Sequence, residues 1–310
     1  DQFRSVPCPG YREIRLSVKP YRKVCRIINE SKPDVIHIAT EGPLGLAARR
    51  YCIQHKLPFV TSMHTRFAEY LRMRLLVKQG WTFRFLRWFH SPAVTTLVRT
   101  RTQVVDLSKK GFSNLKVWPG AVDTEVFRPR GKDALAFPRP ISMYMGRVSM
   151  EKNLDAFLGL DLPGTKVVIG GGPQLGKLVE RYPDTHFLGP RFGDELARLL
   201  SAADVFVFPS RTDTFGLAML EAMACGVPVA AYPVPGPADV LTEGVGALDE
   251  DLESAVFRAL AKDSEACIEL AGEYSWKQST EWFISSQVSF EWIGNVPLRK
   301  GYVSRLEQTA

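Results

Sequence analysis

The chain has 310 residues, enough for one large or two ordinary domains, and its 45% hydrophobic and 24% charged residues fit a globular protein rather than a disordered or fibrous one. Forty Lys and Arg against 33 Asp and Glu leave a net charge of +7, which suits anionic substrates or an anionic membrane surface, and no nucleic-acid-binding motif accompanies it. No stretch approaches the ~18–20 apolar residues of a spanning helix, and none of the five cysteines (Cys8, Cys25, Cys52, Cys225, Cys267) forms a C-x-x-C, so they read as buried thiols of a reducing compartment.

Residues 1–19 read as loop with one strand near Ile14 and Leu16. Residues 21–30 carry Val24, Ile27 and Ile28 on one helical side, and Lys32-Pro33 ends that helix. A strand at 34–39, a helix opened by Gly42-Pro43 and running to 55, and a strand at 58–62 follow. His64 comes directly after that last strand, where it is either a structural residue or part of a site. Residues 66–90 set Arg66, Arg72, Arg74, Lys78, Arg84 and Arg87 against the single acid Glu69, interleaved with Trp81, Phe85 and Trp88. Such a stretch is either an ordinary helix pair or one that lies on a membrane surface. A strand at 93–98, a helix at 100–110 and a strand at 115–118 complete the first half, and residues 119–139 with their prolines form a linker.

The second half alternates again. Strands are expected at 141–145, 166–169, 185–188, 205–208 and 229–232, and helices at 151–158, 174–182, 195–203 and 215–225. A turn at 238–241 and helices at 252–261, 264–271 and 276–288 follow. Each half therefore reads as a doubly wound α/β domain with a parallel sheet. The boundaries expected are 1–130, 131–275 and a C-terminal helix and tail over 276–310, the helix crossing back to the first domain. The tail beyond 288 resists assignment.

One helix carries an anomaly. Glu221 sits among Leu217, Ala218, Met219, Leu220, Ala222 and Met223, and a carboxylate there is costly without a partner. Asp213 lies eight positions earlier, in the loop before the helix, and reads equally as a ligand or, like Thr214, as a helix N-cap. The helix start offers free N–H groups to an anion. Gly146-Arg147 follows a strand and Lys152 opens the next helix, a pair of cations placed for a diphosphate. Gly170-Gly171-Gly172-Pro173 joins a strand to a helix and is either a tight turn or a phosphate approach. Asp249-Glu250-Asp251 reads as a solvated helix start, with nothing near it to complete a metal site.

Taken together, GRVSMEKN (146–153), GGGP (170–173), VFVFPSRTDTFGLAMLEAMACGVPVAA (205–231) and SWKQSTEWF (275–283) resemble the family-4 retaining glycosyltransferases of the GT-B fold. PDVIHIATEGPLGLAARRYC, TSMHTRF and VWPGAVDTEVFRP in the first half are similar too, and within the family the chain looks nearest to bacterial lipid mannosyltransferases and sulfoquinovosyl-type diacylglycerol transferases. The resemblance implies two Rossmann-like domains facing across a cleft, and transfer of a hexose from GDP-mannose or a UDP-hexose to an acceptor hydroxyl, that of a membrane lipid among the candidates. It implies no metal and no cofactor beyond the nucleotide sugar. The family's Glu-x7-Glu falls on Asp213 and Glu221, the first acid contacting the donor sugar and the second the ribose. Phe215, Gly216 and Leu217 would meet sugar and phosphates through their backbone, with Gly171 and Gly172 on the donor side. Arg147 and Lys152 would neutralise the leaving diphosphate, and His64 would lie beside the transferred sugar. The location implied is cytoplasmic, or peripheral on the inner face of the cell membrane. Two departures stand out. The family's opening strand, Gly-rich loop and helix have no counterpart, so the first domain reads as incomplete, and the linker has Ala121 where a Gly usually precedes Val-Asp. The rival readings are a GT-B epimerase or phosphorylase, or a non-catalytic nucleotide-binding remnant.

Overall fold

The structure, a computed structural model, describes residues 3–8, 11–63, 79–213, 215–293 and 296–299. It divides into two compact units. The first comprises residues 1–99, 103–118 and 282–310, and the second residues 100–102 and 119–281.

The first unit opens with an antiparallel hairpin, β1 (Ser5–Cys8) and β2 (Tyr11–Ser17), where one strand was expected. Helix α1 (Tyr21–Ser31) buries Val24 and Ile28 and stops at Lys32, which takes a left-handed conformation ahead of Pro33. Strand β3 (His37–Ile38), helix α2 (Pro43–Gln54), strand β4 (Val60–Met63), helix α3 (Gln79–His90), strand β5 (Thr95–Val98), helix α4 (Arg101–Lys109) and strand β6 (Leu115–Val117) follow. The four strands β3 to β6 lie side by side in chain order, all parallel. Proline at the first turn of α2 is tolerated because that N–H has no intrahelical acceptor. Ile38, Tyr51, Phe59 and Phe89 fill the core between β3, β4 and the helices. Arg49 reaches from α2 to the last carbonyls of α3, donating to Trp88 (2.7 Å) and Phe89 (2.9 Å), where a cation offsets the helix dipole.

In the second unit, β7 (Ile141–Met145) leads through a 3-10 turn at Met150–Lys152 to the short helix α5 (Leu154–Leu158). One helix was expected over 151–158. Asn153, at φ +56°, breaks it in two. The chain continues through β8 (Thr165–Ile169), α6 (Leu175–Arg181), β9 (His186–Gly189), α7 (Gly193–Ser201), β10 (Val205–Phe208), α8 (Leu217–Ala224), β11 (Val229–Ala231), α9 (Pro237–Val240), β12 (Gly246–Leu248), α10 (Leu252–Ala259) and α11 (Ser264–Gly272). Six parallel strands stand in the order β12-β11-β10-β7-β8-β9. Counted from β7 as the first, that is 3-2-1-4-5-6, the doubly wound Rossmann arrangement. Every residue of β10 and β11 is buried, as a central parallel strand covered on both faces requires. Strand β12 went unforeseen because Gly246-Ala247-Leu248 has no β-branched residue.

Helix α12 (Trp276–Ser285) is followed by an antiparallel hairpin, β13 (Phe290–Ile293) and β14 (Val296–Arg299), in the tail that the sequence left unassigned. Phe290 is buried in the first unit's core, and Trp292 Nε1 donates to the Pro33 carbonyl at 3.0 Å. No described helix is long and apolar enough to cross a membrane.

Candidate functional site

In the second sheet β7 and β10 are neighbours, yet β7 connects to β8 on one side and β10 to β11 on the other. Loops leaving two such strands part from each other, and in open α/β sheets the crevice between them takes the ligand. Residues 146–153 leave β7 and residues 209–216 leave β10.

The β7 loop is held from the side by the glycine-rich stretch after β8. Gly146 N–H donates to Ile169 O (3.0 Å), Val148 N–H to Gly171 O (2.9 Å) and Gln174 N–H to Val148 O (3.1 Å). A Cβ on Gly170 would stand 1.9 Å from the Gly146 carbonyl oxygen, and one on Gly172 2.3 Å from that of Val148. The backbone at Gly170, φ +139°, also favours glycine. These glycines are therefore needed for packing against the β7 loop. Gly170→Ala is expected to cost about 2–4 kcal/mol of the second unit's stability. Gly176→Ala, in a helix with open space around it, should gain about 0.5–1 kcal/mol. Urea unfolding of both variants checks this pair.

The β7 and β10 loops are tied to each other as well. Asn153 Nδ2 donates to Pro209 O at 3.1 Å, and the hydroxyls of Ser210 and Thr212 both donate to Glu151 O at 3.4 Å. The strongest tie is ionic: Lys152 Nζ lies 2.6 Å from Asp213 Oδ1, both side chains largely buried. The other carboxylate oxygen, Oδ2, is buried and accepts nothing from a described residue. Asp213 is not a helix cap. Helix α8 starts at Leu217 behind Gly216, whose φ of +90° marks the cap position and which has no side chain to contribute. Thr214 lies outside the described residues. Arg147 stands exposed on the β7 loop.

These residues sit in a chain that two family models cover. Residues 1–126 match Glycosyltransferase Family 4, and residues 139–267 match Glycosyl transferases group 1. Sulfoquinovosyl transferase SQD2 of Arabidopsis thaliana is 32% identical over 92% of this chain and 62% of its own length. A GDP-mannose-dependent alpha-mannosyltransferase of Corynebacterium glutamicum is 30% identical over 74% of this chain and 58% of its own. The chain thus carries a Glycosyltransferase Family 4 domain followed by a Glycosyl transferases group 1 domain. It spans about three fifths of the length of the curated relatives it matches. Among solved structures, Anabaena HepE in complex with UDP superposes with a TM-score of 0.69, covering 86% of this chain and 81% of that one. At 16% identity this likeness is one of fold, the GT-B fold.

Of the residues singled out in the sequence, Arg147, Lys152, Gly171, Gly172, Asp213, Phe215, Gly216 and Leu217 all fall in loops or helix starts beyond the carboxyl ends of β7, β8 and β10. Phe215 is buried and Leu217 is half-exposed. Glu221 lies one turn into α8, mostly buried, with no described residue donating to it. Burial pushes its carboxyl up to about 7. His64 lies outside the described residues. Among the described residues no group of three His, Cys, Asp or Glu could hold a metal ion.

Sequence reasoning missed three supports. Gly120 lies against α8, where a Cβ would come within 2.4 Å of Leu217 Cδ2 and 2.7 Å of the Phe215 ring. This glycine stands one position before the place where the family usually has it, so the departure noted in the linker coincides with a close contact. Arg211 pairs with Glu250 at 2.9 Å and lies 3.6 Å over the Tyr232 ring, bracing the β10 loop against the segments after β11 and β12. Tyr144, on β7 itself, donates to the Arg147 carbonyl. Only the glycine carried a signal in the sequence, through its shifted position. The other two contacts join residues that no local pattern links.

Proposed function

We propose that this chain is the donor-binding core of a retaining, metal-independent glycosyltransferase that moves a hexose from GDP-mannose or a UDP-hexose to an acceptor hydroxyl. The observation carrying the reading is the half-buried Lys152–Asp213 pair between the β7 and β10 loops. Breaking the glycosidic bond puts negative charge on the leaving diphosphate. A preplaced ammonium at Lys152, the guanidinium of Arg147 and the N–H groups opening α8 favour that charged state over the ground state. Asp213 accepts hydrogen bonds from sugar hydroxyls and Glu221 from the ribose, which supplies the donors that Asp213 Oδ2 and Glu221 otherwise lack. His64 is assigned to the transferred sugar by the family resemblance alone. Thermal shift with GDP-mannose, UDP-glucose, GDP and UDP tests the reading, because a ligand that binds only the folded state raises its stability. A folded sample unmoved by all four would overturn it.

The acceptor belongs to a membrane lipid in this reading. The first unit holds 24 Lys and Arg against 9 Asp and Glu, a formal +15, while the second holds 16 against 24, a formal −8. On the first unit, α3 exposes Trp81 (70%) and Trp88 (50%) beside the exposed Arg84 and Arg87. Exposed tryptophans on a basic helix face are costly in water and suited to an anionic lipid interface. The protein is then peripheral on the cytoplasmic face of a membrane. It should co-sediment with vesicles containing phosphatidylglycerol and not with neutral ones, and Trp81→Ala/Trp88→Ala should weaken binding about tenfold or more. Absence of binding to anionic vesicles at low salt would remove the lipid part of the reading.

A further inference from the structure

We propose that Tyr144 is a positioning residue that aims Arg147 at the donor's diphosphate. The inference rests on the donor-binding role given to Arg147 above. Tyr144 belongs to β7 and is 1% exposed, its ring packed among Val148, Leu154 and Phe157. Its hydroxyl donates to the Arg147 carbonyl at 3.0 Å. Directly over that hydroxyl sits Gly146, at φ +152°, where a Cβ would stand 2.7 Å from the phenol oxygen. Glycine there lets the chain turn across the phenol instead of being pushed off it.

The hydroxyl completes a set of anchors on the loop. The Gly146 carbonyl lies against Gly170, with room there for no Cβ, and the Val148 carbonyl accepts from Gln174 N–H. Between them the Arg147 carbonyl is fixed by the Tyr144 hydroxyl, a side-chain anchor at the start of the loop. The carbonyls of 147 and 148 each accept a hydrogen bond, that of 146 lies close against Gly170, and the Arg147 side chain on this anchored loop is exposed. Tyr144 stays a neutral donor throughout the working pH range: burial raises its phenol well above the ordinary value, and the carboxylates of Asp213 and Glu151 raise it further. A buried carbonyl deprived of its donor turns toward another partner, and the side chain on the same residue turns with it.

The test is the preference for a nucleoside diphosphate over its monophosphate, measured by calorimetric titration with GDP, GMP, UDP and UMP. Tyr144→Phe keeps the ring and removes the hydroxyl. It should cut that preference about tenfold while leaving monophosphate affinity unchanged. Arg147→Ala should cut it at least as far, and the double variant should be no worse than Arg147→Ala alone, because the phenol acts through the arginine. An unchanged preference in Tyr144→Phe, or additive losses in the double variant, overturns the proposal. A normal preference in Arg147→Ala overturns the donor-binding reading of that arginine and this inference with it. Should Tyr144→Phe not fold, Gly146→Ala presses on the same hydrogen bond from the other side. It should lower the diphosphate preference without changing monophosphate affinity, and a fall in both alike counts against the proposal.

Discussion

Replacing Lys152 by alanine is expected to lower turnover of the nucleotide sugar by about 10²–10³-fold, the loss that follows removal of one preorganised group at a site of developing charge. In the free protein the ammonium is held 2.6 Å from Asp213 Oδ1. That contact keeps a cation at the crevice without leaving it buried and unpaired. In the proposed role lysine suits the position, because a flexible stem would let a point charge move from carboxylate to phosphate. Lys152→Arg keeps the charge and should recover only part of the rate, since a planar fork cannot follow the same path. The alanine variant also leaves Asp213 largely buried without a cation. It should therefore lose about 1–3 kcal/mol of stability, measurable by urea unfolding apart from the kinetics. A Lys152→Ala protein that releases nucleoside diphosphate at the wild-type rate would show that the pair serves packing only.

Glu221→Gln should stabilise the protein at pH 8 and weaken donor binding at the same time. Burial raises the folded-state value of Glu221 to about 7 from the ordinary 4.5. For an acid shifted upward, the folded state holds its proton while the unfolded state has lost it. Stability then falls as pH rises from about 4.5 to about 7 and stays at its lower level above that. The difference is on the order of 3 kcal/mol. Glutamine removes the charge, so the second unit's unfolding midpoint should rise by several degrees at pH 8 and remain unmoved at pH 4. If ribose hydroxyls donate to the carboxylate, they favour its ionised form, and binding at pH 7 should release about half a proton. Titrations in buffers of different ionisation enthalpy measure that release. A binding enthalpy independent of buffer, or a Glu221→Gln variant with full donor affinity, would contradict the ribose role. The cost of burying this carboxylate is the kind of local instability that a functional site retains.

Much of the second unit was legible because its signals are local. Val205–Phe208 is an apolar run too short for a helix, and it is a strand buried on both faces. Glu221 broke the pattern of its helix, and the structure leaves that carboxylate without a described donor. Local propensity misled at Asn153, where a left-handed residue splits the expected helix. It was silent at Gly246–Leu248, which pairs with β11 through backbone alone. In the first unit the alternation of Ile14-Arg15-Leu16 marked β2, while its partner β1 and the hairpin of β13 and β14 went unread.

The sequence by itself determined the alternation of strand and helix, the two-part organisation, the family and the residue types a diphosphate would need. The alternation and the two-part organisation follow from composition, period and spacing, which act over a few residues at a time, while the family rests on the resemblance of whole motifs. Only the tertiary structure decided that β7 stands beside β10, that Lys152 meets Asp213 across sixty-one positions, and that Tyr144 holds the backbone from which Arg147 projects. Strand order and such pairings are set by which buried faces fit together, and packing of that kind leaves no periodic trace in the chain.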